Sequence, residues 1–351
     1  METEVPENFT YMGRSFGDLS IGDNSSSAFS DCNSDRSGEF SSASSQSRRL
    51  LIACAADNCD DLIRRLASDL QSDSIDVQRQ AAMEIRLLAK EKQENRLKIA
   101  RSGAIKHLIS LISSSDSQLQ EYGVTAILNL SLCDENKDLI VGSGAIKPLA
   151  RALRTGTATA KENAACALFR LSQIEENKIA IGRSGAIPLL VNLLENGSSR
   201  GKKDASTALY SLCSVKENKI RAVQAGIMKP LLELMADFGS GMVDKAAFVL
   251  NILVPIPEGK TALVEEGGVP VLVELVEVGS QPLKEISTRI LLQICEDSLA
   301  YRALVAREGA IPPLVALSQS GTSRAKQKAE ALVDLLRQPR SVSNAARTSD
   351  V

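Results

Sequence analysis

A short glycine-centred segment recurs along this chain at a nearly constant interval. It reads Ser102-Gly-Ala-Ile-Lys-His-Leu108, then Ser143-Gly-Ala-Ile-Lys-Pro-Leu149, then Ser184-Gly-Ala-Ile-Pro-Leu-Leu190. Looser copies follow at Ala225-Gly-Ile-Met-Lys-Pro-Leu231, Glu266-Gly-Gly-Val-Pro-Val-Leu272 and Glu308-Gly-Ala-Ile-Pro-Pro-Leu314. The glycines are Gly103, Gly144, Gly185, Gly226, Gly267 and Gly309, spaced by 41 residues except for a last step of 42. A fixed period of this size means stacked supersecondary units, none of which buries its apolar face without a neighbour. The length of 351 residues, which alone suggests about two domains, is then mostly one unit used repeatedly.

Each unit reads as three helices. Asn136, Asn177 and Asn218 stand where N-caps of the first helix are expected, each followed by Lys and then by apolar residues at helical spacing. The hinge glycines end that helix, where the backbone turns through positive φ. Pro148, Pro188, Pro230, Pro270, Pro312 and Pro313 fall in the first turn of helix two, where a missing N–H is harmless. Ile105, Ile146, Ile187, Met228, Val269 and Ile311 form one column, and Leu108, Leu149, Leu190, Leu231, Leu272 and Leu314 another three residues on, hence on the same face. Polar stretches such as Ser113 to Asp116 turn the chain into a third, longest helix: Val124 to Leu132, Ala164 to Leu171, Ala205 to Leu212. Leu62 to Ala89 fits a degenerate first copy acting as a cap, and Ala325 to Leu336 the last helix three.

The hinge Gly-Ala-Ile and the helix-three endings Val124-Thr-Ala-Ile-Leu-Asn-Leu130 and Ala164-Ala-Cys-Ala-Leu-Phe-Arg-Leu171 resemble armadillo repeats. Glu135-Asn-Lys137, Glu176-Asn-Lys178, Ser184-Gly-Ala-Ile-Pro188 and Ile256-Pro-Glu-Gly259 are similar to the armadillo region of plant U-box ubiquitin ligases over residues 60–338. The resemblance implies an all-α, right-handed α-solenoid of about seven armadillo repeats over residues 48–338. A U-box needs a domain of its own with a Cys-Pro-Ile-type core, and the remaining sequence is a serine-rich tail. The expectation is therefore a target-binding solenoid without ligase chemistry.

Composition narrows the chemistry. A single His, His107, aligns with Pro148, Pro230 and Pro313 and is expected to be an exposed first-turn residue, not a catalytic base. No catalytic set, no metal site and no cofactor is expected. Seven cysteines without paired short spacings do not form a disulfide framework. Cys213 and Cys295 share the column of Ser131, a small buried site, and Cys166 shares that of Thr125. A net charge of −2, no Trp and no basic stripe argue against nucleic acid. No stretch approaches the roughly 20 apolar residues of a membrane span, and an acidic N-terminus is no secretory signal, so a cytoplasmic and/or nuclear monomer is expected.

Residues 1–47 contain 13 serines, eight acidic residues and two Arg, about −6 in charge, which leaves about +4 for the remainder. Such a segment buries too little to offset its ordering entropy and reads as a disordered tail. Ser15, Ser20 and Ser37 stand beside charges and are the candidates for phosphorylation. Residues 339–351 read as a flexible C-terminal tail.

Function is expected along the groove that, in the family, helix three lines: a protein–protein interaction scaffold or adaptor holding an extended peptide or partner, in plant signalling or ubiquitin-dependent turnover. The alternatives are a ubiquitin-ligase component and a nuclear import adaptor. The column Leu87, Asn129, Arg170, Ser211, Ile252, Gln293, Asp334 lies in that groove, with Asn129, Arg170, Ser211 and Gln293 as candidate contacts. Import adaptors clamp basic peptides with an Asn ladder and Trp, and here Asn stands at one of the seven positions. The column Glu121, Glu162, Lys203, Asp244, Glu285, Lys326 mixes charge signs. Lys161, Arg170, Lys202 and Lys203 are expected to form one basic spot for an acidic or phosphorylated peptide.

Overall fold

The computed structural model describes residues 59–338. The proposed tails, residues 48–58 and the candidate phosphosites Ser15, Ser20 and Ser37 lie outside the described residues. Every regular element among the described residues is an α-helix. The degenerate first repeat supplies α1 (Cys59–Asp69) and α2 (Ile75–Glu91). Three-helix repeats follow: α3 (Gln93–Arg101), α4 (Ala104–Ile112) and α5 (Ser117–Leu130); α6 (Asp134–Gly142), α7 (Ile146–Thr155) and α8 (Ala158–Leu171); α9 (Glu175–Arg183), α10 (Ala186–Asn196) and α11 (Ser199–Leu212). The next are α12 (Lys216–Gln224), α13 (Met228–Ala236) and α14 (Val243–Leu253); α15 (Pro257–Glu265), α16 (Gly268–Val278) and α17 (Gln281–Glu296); α18 (Leu299–Arg307), α19 (Ile311–Ser320) and α20 (Ser323–Arg337). This is the all-α armadillo architecture.

The chain divides into two compact units, the first ending at Pro230 and the second beginning at Leu231. In the first unit the third helices form a row in which α2 packs on α5, α5 on α8 and α8 on α11, while α4, α7 and α10 back α5, α8 and α11. In the second unit α14 packs on α17 and α17 on α20, with α16 and α19 behind α17 and α20. The expected leucine column, Leu108 to Leu314, is fully buried at every position. Each such side chain contributes about 1.5–3 kcal/mol.

All six hinge glycines have φ between 73° and 87°. A Cβ at Gly144, where φ is 87°, would meet nothing within 4 Å, so the backbone alone dictates glycine there. Gly144→Ala should cost about 1 kcal/mol in urea unfolding, and Gly144→Asn less, because Asn tolerates the left-handed region. Equal losses for Ala and Asn would point to a packing cause instead.

Ser131, Ser172, Cys213, Val254 and Cys295 occupy one column at 0% exposure, and Cys166 and Thr125 are buried as expected. Burial pushes the Cys213 and Cys295 thiols up to about 12, with Lys219 and Arg302 pulling weakly the other way. His107 is half-buried, not exposed, because its column leans on the repeat throughout: Pro148, Leu189 and Pro313 are half-buried and Pro230 is buried.

The asparagines are not N-caps. Helices α6, α9 and α12 begin two residues earlier, after Cys133, Ile174 and Val215. Asn136, Asn177 and Asn218 are buried and donate to the last carbonyl of the preceding helix three: Leu130 at 3.1 Å, Leu171 at 3.1 Å and Leu212 at 3.0 Å. Asn136 and Asn218 also reach the carbonyls of Arg96 at 3.2 Å and Lys178 at 2.9 Å, one repeat back. A helix end leaves its final carbonyls without intrahelical partners, and a buried amide satisfies them better than a cap exposed to water. At two other helix-three ends the donor is a guanidinium. Arg96 donates to the carbonyls of Ala89 and Lys90, and Arg302 to those of Cys295 and Glu296, at the negative ends of α2 and α17.

Candidate functional site

The third helices are longer than their apolar cores. Helices α5, α8 and α11 run for 14 residues because their polar first turns are capped: Asp116 accepts from the Leu119 N–H, Thr157 from that of Ala160 and Ser198 from that of Gly201. The Leu119 N–H, and then Arg79 3.0 Å away, hold the Asp116 carboxyl below its ordinary value. The caps also join repeats. Thr157 donates to Glu121 at 2.6 Å, Ser198 donates to Glu162, and in the second unit Thr322 donates to Glu285 at 3.1 Å. Three of the four acidic members of the mixed-sign column, Glu121, Glu162 and Glu285, are thus held at the positive end of the following helix three.

A second polar chain crosses the row. Asn163, fully buried, donates to Thr125 at 2.9 Å and accepts from Arg200 at 2.7 Å. The same guanidinium lies 3.5 Å from Glu162 and 3.5 Å from Asp204. These bonds set the register of α5, α8 and α11, and with it the surface they share.

That surface is legible from exposure. On α11 the half-buried residues Lys203, Thr207 and Tyr210 recur at i, i+4 and i+7, one stripe of the helix. Phe169 is the half-buried counterpart of Tyr210 on α8, 41 residues earlier. On α2 the stripe is Arg79, Met83 and Arg86, with Arg86 stacked 4.5 Å over the Tyr122 ring. It offers aromatic faces beside cations, a surface for binding rather than for proton transfer.

The expected contact residues fare unequally. Lys161 and Lys202, one repeat apart, are half-buried at the fourth residue of α8 and α11, and Lys203 is beside them. Arg170 does not join that spot. It lies nine residues beyond Lys161, about 13 Å along α8. It is 7% exposed and lies at the other end of the helix, with its guanidinium 5.9 Å from the ring of its neighbour Phe169. Asn129 is likewise buried and donates to the Arg86 carbonyl at 2.9 Å, tying α5 to α2. Ser211 is half-buried with its hydroxyl 2.8 Å from that of Ser172, and Gln293 is half-buried on α17 in the second unit. The column continues from Gln293 to Leu335, not Asp334, and from Glu285 to Gln327, not Lys326. The helix-three caps Ser280 and Thr322 are 42 residues apart, because one extra residue stands between Cys295, near the end of α17, and the start of α18 at Leu299. Phe169 and Tyr210 were missed by looking only for Trp, although their separation of one period was a signal.

Among the described residues no group of His, Cys, Asp or Glu is placed to hold a metal ion, and no helix is long and apolar enough to cross a membrane.

The family described as the plant U-box protein ARM repeat region matches residues 58–350. U-box domain-containing protein 4 of Arabidopsis thaliana is 51% identical over 72 residues, 20% of this chain and 9% of that protein. The E3 ubiquitin-protein ligase SPL11 of Oryza sativa subsp. japonica is 54% identical over 70 residues, 20% of this chain and 10% of that protein. The chain thus spans about a tenth of the length of such relatives in these matches. The crystal structure of an engineered protein superposes with a TM-score of 0.69 at 26% identity, covering 79% of this chain and 68% of that one. A computationally designed armadillo repeat protein for modular peptide recognition shares the fold with a TM-score of 0.52 at 18% identity, over 78% of this chain and 99% of its own. With most of its length matched and its repeats built as armadillo units, the chain belongs to the plant U-box protein ARM repeat region family.

Proposed function

We propose that this chain is an interaction scaffold that holds an extended peptide or partner surface on the helix-three face of its first unit. The observation that carries this reading is the stripe of Lys203, Thr207 and Tyr210 beside Phe169, which combines aromatic anchors with cations. Lys161, Lys202 and Lys203 favour an acidic or phosphorylated ligand over a basic one. The designed armadillo protein for modular peptide recognition supports the same use of the fold. The printed ligase name of the rice relative supports a setting in plant signalling or ubiquitin-dependent turnover, and in our reading this chain is a monomeric, target-binding partner in cytoplasm and/or nucleus that does no chemistry of its own and binds no nucleic acid.

Selection from peptide libraries of acidic, phosphorylated and lysine-rich composition tests the reading. Acidic or phosphorylated peptides should emerge with Kd of about 1–100 μM and weaken as salt rises. Enrichment of lysine-rich peptides at physiological salt would support an import adaptor instead. The name of the rice relative favours a second reading, a ligase component. Autoubiquitination of the purified chain with activating and conjugating enzymes would establish that reading in place of the scaffold.

A further inference from the structure

One guanidinium on the helix-three face of the first unit lacks an acidic partner. Arg86 is half-buried on α2, and its Nε is buried with no acceptor. Among the described residues no carboxylate pairs with it, whereas Arg79, on the same stripe, holds Asp76 at 2.7 Å and Asp116 at 3.0 Å. What supports Arg86 is a ring, with the guanidinium carbon 4.5 Å from the centre of Tyr122. Tyr122 is buried, and its phenolic oxygen accepts from Gln118 at 2.8 Å, so the ring is a fixed base. A planar guanidinium resting on an aromatic face keeps its N–H donors at its edge, the geometry that grips an oxyanion through two parallel hydrogen bonds. Taking this cation partly out of water costs free energy that the ring offsets only in part, and an incoming anion would supply the rest.

The row fixes the place of this cation relative to the exposed rings. Arg86, Leu128, Phe169 and Tyr210 form one column, at steps of 42, 41 and 41 residues, on helices that pack in that order. Leu128 is 2% exposed, while Arg86, Phe169 and Tyr210 are half-buried. Lys161, Lys202 and Lys203 form a separate line toward the other end of α8 and α11. Lys203 precedes Tyr210 by seven residues, about 10 Å along the helix. We infer that Arg86 is a second anion site, the anchor for a carboxylate or phosphate of an extended peptide whose apolar residues lie on Phe169 and Tyr210, an inference that rests on the scaffold reading above. Packed helices stand about 8–10 Å apart, so Arg86 and Phe169 are separated by about 16–20 Å, or about six residues of extended chain. Phe169 and Tyr210 are one step apart, about three residues. The ligand is then a segment with an acidic or phosphorylated residue about six positions from one apolar residue and about nine from a second.

Synthetic peptides and the full-length chain test this by fluorescence anisotropy. In a Gly-Ser background each peptide carries two Phe and one variable residue at these spacings, in either chain direction, the variable residue being Ser, Glu or phosphoserine. In one direction the anionic peptides should bind at least about tenfold more tightly than the Ser peptide. A gain from phosphoserine alone identifies a phosphorylated ligand and a gain from both an acidic one, and either supports the anchor. Arg86→Ala should abolish the gain, and Arg86→Lys, which keeps the charge without the fork, should restore only part of it. Arg86→Glu should make a peptide with Lys at the variable residue the tightest. Tyr210→Ala should weaken all the peptides alike, which reports on the scaffold reading by itself. A gain that survives Arg86→Ala, or that persists with the variable residue moved beside Phe, overturns the anchor and leaves the scaffold standing. Binding by none of the peptides also overturns the anchor, and the library selection, which presupposes no spacing, then judges the scaffold separately. Circular dichroism checks that each variant keeps its helices.

Discussion

Asn218→Ala should destabilise the first unit by about 2–4 kcal/mol. The side-chain amide donates to the Lys178 and Leu212 carbonyls, at 2.9 and 3.0 Å, and is fully buried. Alanine leaves both acceptors dry, at about 1–3 kcal/mol each where water does not enter. Asn177, which donates to the Leu171 carbonyl, should lose less on the same change. The neighbour Gly182 sharpens the test. A Cβ there would lie 1.8 Å from the Asn218 Oδ1, so Gly182→Ala must displace the amide and should cost a comparable amount. With Asn218→Ala already made, that obstacle is gone. Gly182→Ala should then be neutral or stabilising by up to about 1 kcal/mol, because alanine is the better helix former. Urea unfolding of the four proteins in the cycle reads this coupling. Additive losses would mean that the two residues do not compete for one space.

Tyr210→Ala should weaken binding of a selected acidic or phosphorylated peptide by about 2 kcal/mol, roughly thirtyfold. Tyrosine brings a large, rigid contact area with little rotamer entropy to lose, and Phe169 presents a second ring one repeat away. Lys203→Glu should lower affinity by about tenfold and reduce its salt dependence, through slower association. Arg170→Ala is the contrasting variant. The guanidinium is buried, 5.9 Å from the ring of its neighbour Phe169, so its loss should lower stability and, with both rings kept, leave peptide affinity within about threefold. Isothermal titration with one peptide and all variants separates these outcomes. A large affinity loss at Arg170 with none at Tyr210 would take Tyr210 out of the site and put Arg170 in it.

The sequence was most informative where a residue type meets a backbone need that recurs. The hinge glycines answer to a positive φ at one position of every repeat, and the leucine column to a helix face with no access to water. Both needs are local, so a period of 41 residues carries them openly. The asparagines misled for a physical reason. A helix start and a buried clamp both call for a short amide side chain, and three residues of register, from Val215 to Asn218, decide between them. Arg170 misled similarly, since a cation in a groove column can be buried in the stack instead of offered to a ligand.

Taken alone, the chain specified its unit, its repeat number, its buried columns and its membership of a binding fold, because these follow from spacing and from which residues avoid water. Tertiary structure alone decided which polar side chains the stack uses to hold itself together. Glu121 and Glu162 are taken up by the caps of the next repeat, Asn129 and Asn218 by carbonyls of a neighbouring one, and Lys203, Thr207 and Tyr210 remain half-buried on one stripe. The partners that decide this stand 36 to 43 residues apart in the chain, so the choice exists only once helix three of one repeat lies against helix three of the next.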